Sequence, residues 1–256
     1  MIDKVIHYCW FGGNPIPDDL QKCIDSWSIM CPDYRIVRWD ETNYDVHKNK
    51  YMSDAYKEKK WSFVSDYARI DIIHQQGGIY LDTDVELVKS LDSLLQYDMF
   101  CGFESRDDLM DKHGIDYEEA VNFGLGYGAV KGHPILKALL DYYDTLNFYN
   151  SDGTLNLVAC PVYQTKIMKQ YGLKANRKKQ VFDNCLVLPS DYLSPKSYLT
   201  GKITITENTI GIHHFKVSWT DEAGRKDLEL QWHYCQKYGY TMMRIIMKLR
   251  RMFKIK

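Results

Sequence analysis

A chain of 256 residues with 45% hydrophobic and 26% charged side chains has an ordinary globular composition, with length for one large α/β domain or two small ones. A formal net charge of −1 offers no basic surface to a polyanion, so nucleic acid is not expected as a partner. The 7 cysteines are odd in number and scattered, without a C-x-x-C pair or metal-ligand spacing, which favours reduced thiols over a disulfide framework.

Val5 to Phe11 reads as a buried strand that ends at a Gly12-Gly13 turn. The opening segment lacks the basic and apolar regions of a signal peptide, and no run approaches the ~20 apolar residues of a membrane span. A cytoplasmic protein is expected. Asp18 is placed as the cap of a helix through about Met30, with Leu20, Ile24 and Trp27 on one face and Pro32 beyond its end. Tyr34 to Trp39 alternates like a second strand. The pattern predicts a helix from about Ser62 to Gln76, stopped at Gly77-Gly78 and followed by a strand over 79–82. Further strands are predicted at Met99 to Phe103 and near Gly124 to Val130, and helices at about 134–148, 161–171 and 226–238. No repeat or long linker interrupts this order. Strands alternating with helices predict an α/β fold with a mostly parallel sheet, in which ligands bind at the carboxyl ends of the strands.

At such an end stands GGIYLDTD, residues 77–84. In an extended segment residues i and i+2 share a face, so Asp82 and Asp84 converge and Tyr80 joins them. Two carboxylates this close repel unless a cation or donors lie between them. A polar turn would explain the pair without chemistry. A calcium loop is excluded because its sixth position requires Gly and here is Leu87. A phosphatase of the haloacid dehalogenase type would use Asp82 as nucleophile, with Thr206 at the end of a later strand, but the acidic pair that such an enzyme needs does not follow. The remaining reading is Mg²⁺ or Mn²⁺ gripped between both carboxylates and a nucleotide diphosphate. A metal-dependent carbohydrate-binding module is the non-enzymatic alternative.

The stretch SFVSDYARIDIIHQQGGIYLDTDVE (62–86) resembles glycosyltransferases that carry a DxD sugar-binding region, among them fungal α-1,6-mannosyltransferases, the glucosylating domain of clostridial toxins and bacterial capsule-synthesis enzymes. KVIHYCWFGGNPIPDDLQKCIDSWSIMCPDYRIVRWDE (4–41), NFGLGYGAVKGHP (122–134) and IGIHHFKVSW (210–219) are similar to that family's other blocks, in the same order. The resemblance implies a single glycosyltransferase A-type (Rossmann-like) catalytic domain, residues 1–239, with flanking helices around the sheet. It implies a retaining transfer of a hexose from a nucleoside-diphosphate sugar to a saccharide hydroxyl. UDP-galactose, UDP-glucose or UDP-N-acetylglucosamine is expected before GDP-mannose, and the acceptor as a lipid-linked oligosaccharide of a bacterial surface polysaccharide.

The resemblance for Asp66, Arg69, Trp10 and His214, and the shared strand face or side-chain chemistry for the others, suggest roles for single residues. Asp66 and Arg69, three apart on a helix, would hold the donor sugar's hydroxyls; a surface ion pair is the plainer reading. Trp10 would stack on the base and Tyr80 touch the ribose. Asp84 would ligate the metal and Asp82 bridge it to the sugar or ribose, with His214 as the C-terminal metal ligand. Ser218 and Trp219 would donate to the leaving diphosphate, and Lys216 would stand by as a spare cation. Asn122 would face the donor sugar. Gly124 to Ala129 spells G-x-G-x-x-A, yet it does not open a helix and so is not a dinucleotide fingerprint.

Beyond residue 239 lies a basic amphipathic helix, 240–256. Met242, Ile245, Ile246, Leu249, Met252 and Phe253 fall on one face, and Arg244, Lys248, Arg250, Arg251 and Lys254 on the other, the pattern of a helix lying on a membrane surface. Packing of that apolar face onto the domain is the alternative.

Overall fold

The computed structural model describes residues 1–104, 119–216 and 222–253, so Ser218, Trp219 and Lys254 lie outside the described residues. Its centre is a seven-stranded sheet in the order β2-β1-β3-β6-β5-β8-β7. The strands are β1 (Val5–Cys9), β2 (Arg35–Trp39), β3 (Gly78–Tyr80), β5 (Met99–Gly102), β6 (Tyr127–Ala129), β7 (Gln180–Phe182) and β8 (Cys185–Leu188). The pairings run five of these seven in one direction, with β6 and β7 reversed, so the sheet is mostly parallel. A separate antiparallel pair, β4 (Val85–Leu87) and β9 (Gly211–His213), sits outside it.

Alternation along the strands sends side chains into two cores. Ile6, Tyr8, Ile79, Phe100, Leu186 and Leu188 face one apolar cluster, and Cys9, Tyr80, Cys101, Cys185 and Val187 face the other. Helix α1 (Asp18–Met30) covers the first face through Leu20, Cys23, Ile24 and Trp27, the i, i+3, i+4, i+7 row of an amphipathic helix. Asp18 starts this helix without capping it, because Pro17 takes the cap position. Helices α2 (Lys50–Lys57), α3 (Trp61–Gln76), α4 (Pro134–Asp144) and α5 (Cys160–Gln170) contribute to the second core.

α3 is buried nearly all round, from Phe63 to Ile73. Three charged side chains therefore sit inside, and each has partners: Asp66 and Arg69 pair, and Asp71 accepts from Tyr44 Oη, Lys48 and Gln75. α3 stops at Gly77, whose φ is +73°, and Gly78 follows at φ +97°, where a Cβ would come 2.8 Å from the Val5 carbonyl oxygen. Only glycine lets the chain turn here and lie against β1. All seven cysteines are free and buried.

Thr206 is not at a strand end. It sits in a loop, donating to Asp191 at 2.9 Å, away from the paired aspartates. The short α6 (Ser190–Leu193) precedes that loop. Helices α7 (Glu222–Tyr238) and α8 (Tyr240–Met252) form a hairpin around a small cluster of Cys235, Tyr240, Met243 and Met247, against which Leu199 packs. No helix among the described residues is long and apolar enough to cross a membrane.

Candidate active site

β3 delivers the chain to Asp82 and Asp84, which lie past the strand, in a turn where the Val85 N–H donates to the Asp82 carbonyl at 3.0 Å. Their convergence comes from that turn, not from the strand alternation expected of 79–82. Antiparallel pairing then places His213 opposite Val85. The result is a three-donor group: one carboxylate oxygen each from Asp82 and Asp84 and one His213 ring nitrogen, all within 4.8 Å of one another. His213 Nε2 is 3.2 Å from Asp84 Oδ1 and 4.0 Å from Asp82 Oδ2.

Both carboxylates are held from behind. Tyr80 Oη donates to Asp82 Oδ1 at 3.0 Å, and Arg69 Nη1 donates to Asp82 Oδ2 at 3.3 Å. Arg69 also donates to Asp66 Oδ1 at 2.9 Å and lies over the Tyr80 ring. The pair is buried, at 7% exposure for Asp66 and 3% for Arg69, which sets aside a surface ion pair. Burial pushes the Asp66 carboxyl up to about 6, with Arg69 pulling the other way. Burial and the Asp84 charge likewise raise Asp82, against Arg69 and His213. Asp84 Oδ2 accepts from the Lys216 N–H at 2.8 Å, and its carbonyl accepts from the His214 N–H at 3.0 Å. The Asp82 side chain keeps 26% of its surface open.

Two carboxylates and an imidazole nitrogen suit a divalent cation that leaves positions free for phosphate oxygens. The buried His213 Nδ1 has no hydrogen-bond partner, so the ring is placed by its Nε2 side and by the Phe215 ring, 4.5 Å away between centroids. The residues present fit such an ion.

His214 is not part of this group. Its Nε2 pairs with Glu86 at 2.9 Å, diagonally across the β4–β9 pair, because the strand turns adjacent side chains to opposite faces. His213 takes the position expected of His214. The Lys216 ammonium pairs with Asp19 at 2.6 Å in an exposed ion pair. Asn122 caps a short turn, accepting from the Gly124 N–H at 2.7 Å. That turn brings Gly124 over the site, with its carbonyl facing the Asp82 N–H at 3.4 Å. Trp10 is half-buried beyond β1 and donates to the Asn14 carbonyl at 2.7 Å. Lys196, not singled out from the sequence, donates to the His214 carbonyl at 2.8 Å from over the Trp232 ring. Burial lowers its ammonium to about 8.

Residues 17–101 match the family described as a glycosyltransferase sugar-binding region containing a DXD motif. That stretch holds α1, α3 and both aspartates. Among individual proteins, the chain is 34% identical over 108 residues to inositol phosphoceramide mannosyltransferase 3 of Schizosaccharomyces pombe, covering 38% of this chain and 28% of that one. It is 29% identical over 182 residues to mannosyl phosphorylinositol ceramide synthase SUR1 of Saccharomyces cerevisiae, covering 67% of this chain and 43% of that one. The chain thus spans less than half the length of these two relatives. Among solved structures it is similar to PaToxG glycosyltransferase, with TM-score 0.49 at 22% identity over 66% of this chain and 69% of that one. It is also similar to galactosyltransferase LgtC, with TM-score 0.42 at 11% identity over 95% of each chain.

Proposed function

We propose that the chain is a metal-dependent glycosyltransferase of the A-type fold that moves a hexose from a nucleoside-diphosphate sugar to a saccharide hydroxyl. The observation that carries the reading is the convergence of Asp82, Asp84 and His213 within 4.8 Å, with both aspartates inside the stretch that matches a glycosyltransferase sugar-binding region. Asp84 and His213 would hold the cation directly, and Asp82 would bridge it to the ribose or sugar. A cation bound there supplies Lewis-acid stabilisation of the charge that grows on the departing diphosphate.

The chain's own residues do the rest. Arg69 fixes the Asp82 carboxylate and, with Asp66, lines the sugar end of the site, where a fork of donors and an acceptor suit a vicinal diol. Tyr80 fixes the other Asp82 oxygen and touches the ribose. Trp10 offers a ring for the base at the end of β1, and Asn122 sets the turn that closes over the sugar. We propose retention with front-face attack, the stereochemistry that the family resemblance implies. The named relatives support a lipid-borne acceptor and put a mannosyl donor beside the UDP-hexoses, and a surface polysaccharide is the product we propose.

Thermal shift and donor hydrolysis with Mn²⁺, across UDP-galactose, UDP-glucose, UDP-N-acetylglucosamine and GDP-mannose, test the reading. One donor should stabilise the protein only with metal and be hydrolysed slowly. Asp84→Asn and His213→Ala should abolish that hydrolysis with the fold intact, whereas His214→Ala should largely keep it. Full activity in Asp84→Asn, or no stabilisation by any sugar nucleotide with metal, rejects the proposal.

A further inference from the structure

Helix α8 has two apolar faces, and only one has a partner. Tyr240, Met243 and Met247, which were not part of the apolar face read from the sequence, are buried in the hairpin with α7. Met242, Ile245, Leu249, Met252 and Phe253 nevertheless stay 44–65% exposed. At 100° per residue these five occupy a continuous arc of about 100°, a stripe along the helix away from α7. Beside it on the wheel come Lys248, Arg244 and Arg251, with Arg250 on the far edge. Tyr240–Phe253 contains these four basic residues and no acidic one, in a chain whose net charge is −1. An open recess of about 580 Å³ next to the stripe is lined by Arg244, Lys248 and Arg251 together with Ile245. Cationic side chains thus border the apolar row over its whole length.

We propose that this face of α8 docks on an anionic lipid bilayer, its apolar row entering the acyl boundary and its basic flank meeting the headgroup phosphates. Charge selects this occupant. Arg251 pairs with Asp227 at 3.3 Å, but a second copy of the chain seated on the same face would still bring Arg244, Lys248 and Arg250 against their own counterparts, whereas an anionic leaflet is complementary to them and accepts the apolar row as well. The inference rests on α8 and not on glycosyl transfer, and its test reads no turnover.

Co-sedimentation of the full chain with vesicles of phosphatidylcholine, alone or mixed with phosphatidylglycerol, measures the docking. Pelleting is expected only with the mixed vesicles, falling at high salt. The exposed-face variant Ile245→Ser/Leu249→Ser should bind at least about tenfold more weakly. Arg244→Glu/Lys248→Glu should lose the preference for anionic lipid. Both variants replace exposed side chains, so their unfolding midpoints should match the parent's, which separates docking from misfolding. A parent that stays in the supernatant with anionic vesicles at low salt overturns the proposal, as does binding that neither variant weakens. A lipid-free dimer that the serine variant dissolves would give the face to a second copy and also overturn it.

Discussion

Gly124 has little freedom to change, because a Cβ there would lie 2.4 Å from Asp82 Oδ2 and 2.8 Å from Arg69 Nη1. Tyr80 and Asp66 restrain these two neighbours from the other side, so a shift of either would break a hydrogen bond. Gly124→Ala should therefore move the Asp82 carboxylate and lower metal-dependent donor hydrolysis at least about tenfold, at a stability cost of about 1–3 kcal/mol. Donor hydrolysis beside urea unfolding checks this; unchanged hydrolysis would show that Asp82 tolerates the shift. The aspartate pair was legible in the sequence because two carboxylates after a β-prone run demand a partner. His213 was not separable from His214, because strand alternation chooses between them and the partner strand could not be seen. The engagement of Lys216 by Asp19 was hidden for the same reason, lying across nearly the whole sequence.

At the scale of elements, α1 is what holds the aspartate loop. Trp27 is fully buried, and its Nε1–H donates to the Val85 carbonyl at 2.7 Å, while Ser26 Oγ accepts from the Leu87 N–H at 2.9 Å. Both bonds fasten β4, the strand that begins immediately after Asp84. Trp27→Phe keeps an aromatic ring and removes the donor, leaving a buried carbonyl unpaired, which costs about 1–3 kcal/mol. Chemical denaturation should show that loss, and Mn²⁺ should bind more weakly as β4 loosens; metal affinity equal to the parent's would mean that β4 is positioned by β9 alone. The bounds of α1 and the stop of α3 at Gly77 were readable because helices of this length carry a full periodic face and a glycine end signal. α2, β4, β7, β8 and β9 were not predicted. The strands among them have three or four residues, too few for a period to show, and their existence depends on distant partners.

Over the whole molecule, two buried groups set opposing responses to pH. His7, in the middle of β1, is 2% exposed, its Nδ1 accepting from Trp39 Nε1–H at 3.0 Å. Burial lowers its pKa from 6.5 to about 4, against a backbone hydrogen bond to Gly77. The native state then binds fewer protons than the unfolded chain between those values. The stability due to neutral His7 is fully present above about 6.5 and is lost as pH falls towards 4, about 3 kcal/mol in total. Asp66, raised from 3.8 to about 6, acts in the other direction. Its contribution, of the same order, is present below about 4 and lost as pH rises through 6. Between pH 4 and 6 the two act in opposite directions, and Asp82, also raised, adds to the Asp66 side, so the parent's stability alone separates none of them. A difference measurement separates them. Gln in place of His7 can still accept from Trp39 but does not titrate, and subtracting His7→Gln from the parent cancels groups that do not touch His7. The stability difference between parent and variant should shrink by about 2 kcal/mol from pH 7.5 to pH 5, as the unfolded histidine takes up its proton. A difference that stays constant over that range would show that His7 is protonated in the folded protein, with water reaching the ring beneath Gly78.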